Sequence, residues 1–226
     1  MVLRLAERLD VPLRERNTLL LAAGYAPAFR ERPLTDPDLA GAREAVNLVL
    51  TGHEPFPALA VDRHWRLVAA NAAMTAMLAG IGPALLQPPV NVLRVGLHPD
   101  GMAPRIVNLG EWRAHVLARL RRQIDVSGDP VLQDLFDELR GYPFEPVAPD
   151  AAARSTARAA APSHEVGGVV VPLQLASPAG VLSFISTTTV FGTPVDITLS
   201  ELALETFFPA DAATAAVLRA AADARG

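Results

Sequence analysis

Cysteine is absent from the 226 residues of this chain. That excludes a disulfide scaffold, a thiolate metal site and a thiol nucleophile, and it fits a cytoplasmic protein. Lysine is absent as well, so every basic side chain is an arginine. With the abundance of alanine, this reflects a GC-rich coding bias rather than an adaptation. No apolar run approaches the roughly 18 residues of a spanning helix. The charged, amphipathic start is not a signal peptide. There is no Gly-rich phosphate loop of either standard spacing and no GxSxG elbow. The five histidines are scattered. Glu111 and His115 stand at i, i+4, and His98 and Asp100 at i, i+2, but neither pair reaches the three or four ligands of a metal site. The net charge of −4 argues against affinity for nucleic acid or an anionic membrane through the chain's overall field. The expectation is a protein without enzymatic activity, metal or cofactor.

Half of the residues are apolar, enough to build a substantial core. Val2, Leu5 and Leu9 fall on one helical face. Asp10-Val11-Pro12 breaks the pattern and restarts it, with Pro12 suited to a first turn. Leu13, Leu20 and Leu21 mark a second short helix that Gly24 and Pro27 end. Residues 38–51 read as an amphipathic helix with Leu39, Ala42, Val46 and Val49 on one side. Ala58–Val61 reads as a strand, Asp62-Arg63 as a turn and Trp65–Ala69 as the hairpin partner. Asn71 then caps a helix, accepting from its first free N–H groups; a polar contact in a pocket is the other role open to it. Trp65 is read as a core aromatic or a pocket wall.

Prolines break residues 87–104, leaving one helical piece near Val90–Val95. From Leu109 a helix carries Trp112, Val116, Leu117 and Leu120 on one face. Asp129-Pro130 starts another, through Leu132, Leu135, Phe136 and Leu139 to Gly141. Residues 146–163 lack large apolar side chains and read as a mobile loop. Three β-like runs follow, at 168–175, 180–189 and 196–204, with turns at 177–180 and 192–194. An Ala-rich helix closes the chain over 210–223, with Asp211 in its first turn. Five strands with helices inserted after the second is the order of a PAS-like sensor: α+β, with an antiparallel sheet and the helices on one side.

Two stretches carry a resemblance. MVLRLAERLDVPLRERNTLLLAAGYAP looks like the last two helices of a phage-repressor-like (XRE) helix-turn-helix domain. ALAVDRHWRLVAANAAM, NVLRVGLHPDGMAPRIVNLGEWRAHVLARLRRQ and GVLSFISTTTVFGTPVDITLSELALETFFPAD are similar to the MmyB-like ligand-binding domain that follows such a helix-turn-helix in bacterial regulators. The resemblance implies residues 1–30 as the trailing helices of an N-terminally truncated helix-turn-helix domain. It makes 31–55 a linker and connecting helix, and 56–226 a PAS-like ligand-binding domain. It further implies a cytoplasmic homodimer that senses a hydrophobic small molecule such as a fatty acid. DNA would be contacted only through the missing recognition helix, whose N-terminal side chains would read the major groove. The alternatives are a ligand-free PAS-like dimerisation module and an acyl hydrolase using Ser183 or Ser186.

Candidate ligand contacts follow. A carboxylate would suit an Arg fork beside an amide or indole N–H. Arg105 with Asn108 supplies one, and Arg94, Asn91 and Trp112 are further candidates in the same Pro-broken stretch. The competing reading is that these side chains, with His98 and Asp100, pin an irregular loop, Arg105 pairing with Asp100. An acyl chain would line up against Val116, Leu120, Phe136, Leu139, Phe184 and Phe191, all of which read equally well as plain core. Arg119, Arg121 and Arg122 read as a solvated helix face, a phosphate contact in the parent regulator being the other role open to them.

Overall fold

The computed structural model describes residues 1–143, 171–192, 194 and 196–224; the loop expected over 146–163 lies outside these residues. Helices α1 (Val2–Arg8) and α2 (Leu13–Ala22) meet in a tight turn at Asp10, whose φ of 50° closes it. They bury Ala6, Leu13 and Leu20, while Leu5 and Leu9 stay exposed. The face expected from spacing is therefore not the buried one: α1 packs chiefly on α2, and the small Ala6 permits that close contact. A 3-10 turn, Pro37–Leu39, capped by the Asp36 carboxylate, leads into α3 (Ala40–Gly52).

The sheet forms from β1 (Ala58–Val61), β2 (Leu67–Ala70), β3 (Leu173–Ser177), β4 (Gly180–Val190) and β5 (Ala203–Pro209). Its order is β2-β1-β5-β4-β3, and every neighbouring pair is antiparallel. Between β2 and β3 come α4 (Ala72–Met77), α5 (Val92–Leu97), α6 (Leu109–Ser127) and α7 (Pro130–Gly141). A short α8 (Ile197–Ser200) precedes β5, and α9 (Ala212–Asp223) follows it. This is the α+β, PAS-like arrangement that the strand count predicts.

Three boundaries differ from the sequence expectation. The run 196–204 is not one strand. The Asp196 carboxylate accepts the Thr198 N–H at 2.9 Å and starts α8; the strand begins only at Ala203 and extends through the two phenylalanines to Pro209. The hairpin partner begins at Leu67, because Trp65 sits in the turn itself with φ 64°. The strand expected at 168–175 is Leu173–Ser177.

Period-two alternation sorts the two faces of the sheet. Leu59, Val61 and Phe207 face the inserted helices and join Val116, Leu120, Leu132, Phe136 and Leu139 in one core cluster. Phe184, Leu173 and Leu175 join a second, with Met77, Val95, Met102 and Ile106. The opposite face is not bare: Ala58, Ala60 and Leu204 pack on Val46 and Leu50 of α3, with Phe191 alongside. Helices therefore cover both faces rather than the one side expected, and among the described residues only the inserted set lies over the site described below.

Candidate functional site

The inserted helices do not seat flush on the sheet. Leu59, Leu67, Leu173 and Phe207 form one wall, and Met74 and Met77 of α4, Val92 and Val95 of α5, and Trp112 and Val116 of α6 form the other. The space between them is a cavity of about 110 Å³, several times the roughly 10–15 Å³ that one water needs. Its lining is overwhelmingly hydrocarbon. Such a cavity excludes water and attracts apolar solutes, which is the general form of a small-molecule site.

One wall is polar. Trp112, His115, Val116 and Arg119 recur at i, i+3, i+4 and i+7 along α6, so one stripe of the helix faces the cavity. Across from it, Glu205 on central strand β5 and Ser186 on β4 complete the lining. Arg119 grips Glu205 through both oxygens, with Nη2 to Oε1 at 2.6 Å and Nη1 to Oε2 at 3.1 Å. The Thr188 hydroxyl donates to Oε1 at 2.8 Å and accepts from Arg119 Nη2 at 2.7 Å. The guanidinium carbon stands 4.5 Å from the centre of the Trp65 ring, a cation–π contact. Glu205 is only 5% exposed. A carboxylate buried there persists only because its charge is matched and its oxygens accept hydrogen bonds. His115 stacks on Trp112 at 5.6 Å between ring centres. Burial, then the nearby charges of Arg119 and Arg122, push its pKa below the usual histidine range.

The residues singled out in the sequence separate into lining and scaffold. Trp112 and Val116 line the cavity. Leu120, Phe136 and Leu139 lie in the solid core beside it, and Phe184 is wholly buried in the second cluster. Phe191 is on the far face of the sheet. Arg105 donates to the Met77 carbonyl at 2.8 Å. Asn108 clamps β3, accepting the Gln174 N–H at 3.1 Å and donating to the Pro172 carbonyl at 2.8 Å. Arg94 chelates Glu138 at 2.7 and 2.6 Å. Asn91 caps α5 through the Leu93 and Arg94 N–H groups and donates to the His64 carbonyl. These four pin the Pro-broken stretch to the body of the domain; none of them lines this cavity, and Asn91 and Arg94 border a separate, polar pocket with Glu138. Asn71 caps α4, accepting the Met74 N–H at 2.9 Å.

Sequence reasoning did not place His115, Arg119 or Ser186 among the ligand contacts, and it missed Glu205 altogether. The signal for the first two was present in the spacing from Trp112. Arg119 was masked by Arg121 and Arg122, which share its basic run. Ser186 and Glu205 could be found only through the register, in which Ser186 pairs with Phe207 and Thr188 with Glu205.

A second arrangement joins the cavity wall to the N-terminal helices. The Trp65 indole N–H donates to Gln123 Oε1 at 2.9 Å, and the Gln123 amide donates to the Arg63 carbonyl at 3.2 Å. The Arg63 side chain pairs with Asp129 at 3.0 Å and approaches Glu201 at 3.6 Å. Glu201 holds Arg14 of α2 at 2.6 Å, and Arg14 also pairs with Glu31. The β1–β2 turn thus touches both the cavity and the packing of α2.

Among the described residues, no group of three or more potential ligands could hold a metal ion, and no helix is long and apolar enough to cross a membrane. Ser183 is fully buried on the face of β4 away from the cavity.

The five-stranded antiparallel sheet, the inserted helices and the apolar cavity between them define a sensor-type ligand-binding domain. The chain belongs to the family of MmyB-like transcription regulator ligand binding domains, whose family model matches residues 42–221. No curated protein matches the chain.

Proposed function

We propose that this chain is the ligand-sensing and dimerising part of a cytoplasmic, DNA-binding transcription regulator, and that its ligand is a hydrophobic small molecule with one acyl chain, of the fatty-acid type. The observation that carries this reading is the cavity itself. It is apolar along its length and polar at one wall, which matches a molecule with a hydrocarbon tail and a single polar end. Membership of a family of regulator ligand-binding domains supports the sensing role.

The mechanism is a population shift. A ligand changes an equilibrium only by its difference in affinity for the two states. Trp65 lies on the cavity wall, and its turn is tied through Arg63 and Glu201 to Arg14. Occupancy that favours one position of Trp65 favours one packing of α2. In a homodimeric regulator with helix-turn-helix heads, that would reset the spacing of the two heads on half-sites about 34 Å apart.

Native mass spectrometry of the purified chain, before and after denaturation, tests the reading. A co-purifying mass of a fatty-acyl compound, lost on unfolding, is the expected result. No bound mass, together with no uptake of added medium-chain amphiphiles, would replace this reading with a ligand-free dimerisation module.

A further inference from the structure

Among the described residues, the cavity carries titratable groups at three of its lining positions, His115, Arg119 and Glu205, and their charges decide what polar end the site can hold. Arg119 and Glu205 form a two-pronged pair, so the arginine's charge is already matched. The exposed Thr188 hydroxyl bridges the two members of the pair. His115 lies beside Arg119, against the Trp112 ring. The wall is rich in hydrogen-bonding groups and carries no net charge from the pair.

We infer that the cavity takes the polar end of its ligand as an uncharged hydrogen-bonding head, such as an alcohol, an amide or an ester, at the Arg119–Glu205 wall, and discriminates against an ionised carboxylate. This deepens the proposed function and rests on it. An ionised head entering an apolar cavity loses its hydration, and that loss is offset only by a countercharge. Arg119 cannot supply one without releasing Glu205, which would then stand almost fully buried without a countercharge, held only by the Thr188 hydroxyl. The nearest anion to an incoming carboxylate is Glu205 itself, which repels it. An alcohol or amide meets neither penalty. It can donate to a Glu205 oxygen, or accept from the Arg119 N–H groups, while the pair stays intact. A fatty acid enters such a site with its proton on. The arrangement also accounts for a carboxylate on the central strand of the sheet, where apolar residues would pack more cheaply.

The test compares three probes of equal chain length on the wild-type protein: decan-1-ol, decanamide and decanoate. Binding is read from the fluorescence of Trp65 and Trp112, the only two tryptophans of the chain and both on the cavity wall. At about pH 8 the acid is ionised. The expected result is that decan-1-ol and decanamide bind at least about tenfold more tightly than decanoate. Lowering the pH toward about 5 should bring decanoic acid closer to the other two. In Glu205→Gln, Arg119 loses its countercharge, and the preference for decan-1-ol over decanoate should shrink or invert. Decanoate binding as tightly as decan-1-ol to the wild type would overturn this inference alone and leave the proposed function standing. Failure of all three probes to bind would overturn both. The wild-type ranking decides the matter even if Glu205→Gln does not fold.

Discussion

Arg14 on α2 and Glu201, immediately after α8, lie 187 residues apart in the chain and meet at 2.6 Å. Arg14 Nη2 donates to the second Glu201 oxygen at 2.9 Å. The pair fastens the N-terminal helices to the edge of the sensor domain, beside the turn that carries Trp65.

Replacing Arg14 by Ala should loosen α1 and α2 without unfolding the domain. The guanidinium is partly exposed, and ion pairs of this kind contribute about 0–1 kcal/mol. Hydrogen exchange of residues 2–22 should accelerate, while amides of β4 and β5 keep their protection. Equal acceleration throughout would show that the pair supports the whole fold instead of one attachment.

Asn71 ties α4 to β1 and to the segment just before it. Its Oδ1 accepts from Met74 N–H at 2.9 Å and Ala58 N–H at 3.0 Å, and its Nδ2 donates to the Phe56 carbonyl at 2.7 Å. It is buried, so truncation leaves unsatisfied groups as well as a lost cap. Asn71→Ala should destabilise by about 2–4 kcal/mol in urea unfolding. Asn71→Asp keeps the acceptor and loses the donor, and should fall between Ala and wild type.

Val116 and Leu120 are one turn apart on α6, yet only Val116 borders the cavity. Val116→Phe should occupy free space. It should abolish uptake of decan-1-ol while changing stability by less than about 3 kcal/mol. Leu120 is completely buried, so Leu120→Ala should cost about 2–5 kcal/mol while leaving uptake measurable in the folded fraction. The reverse pattern would place the site elsewhere.

Acid should destabilise the protein in two stages. His115 has its pKa lowered by burial and by the neighbouring cations. The unfolded chain therefore takes up a proton first, and stability falls as the pH drops below about 6.5. Glu138 is held below the ordinary carboxylate value by its hydrogen bond from Arg94, against the opposing effect of burial. At Asp129 burial raises the pKa, but the hydrogen bonds from His64 and the Val131 N–H and the Arg63 charge together outweigh it. Both carboxylates stabilise the fold above their unfolded values. That contribution is lost as the pH falls from about 4.5 through their lower folded values. Thermal melts from about pH 8 to about pH 3 should show both steps, and His115→Gln should remove the first.

Most elements were legible because local chemistry declares them. Asn71, Asn91, Asp129 and Asp211 each cap a helix with their own side chains, and apolar spacing marks α6 and α7. The misreadings arose where a local signal competes with a distant partner. Residues 196–204 have the composition of a strand, but Asp196 captures the Thr198 N–H and also holds Arg32 at 3.0 Å. Trp65 reads as a strand residue, but the turn closes on it, and its indole is fixed by Gln123 of α6.

The amino-acid sequence by itself determined the class of fold, the family and the face that α6 turns inward, because periodicity, caps and turns act within a few residues. Only the tertiary structure decided which inward-facing residues border empty space and which fill the core. Leu120 and Val116 share one helical face, and the difference between them is where the sheet and α4 leave a gap. The tertiary structure also decided the character of the polar wall. Glu205 and Arg119 are 86 residues apart, and their pairing follows from the register of β5 against β4 and the seat of α6 above them. No property of either residue's sequence neighbours encodes that meeting.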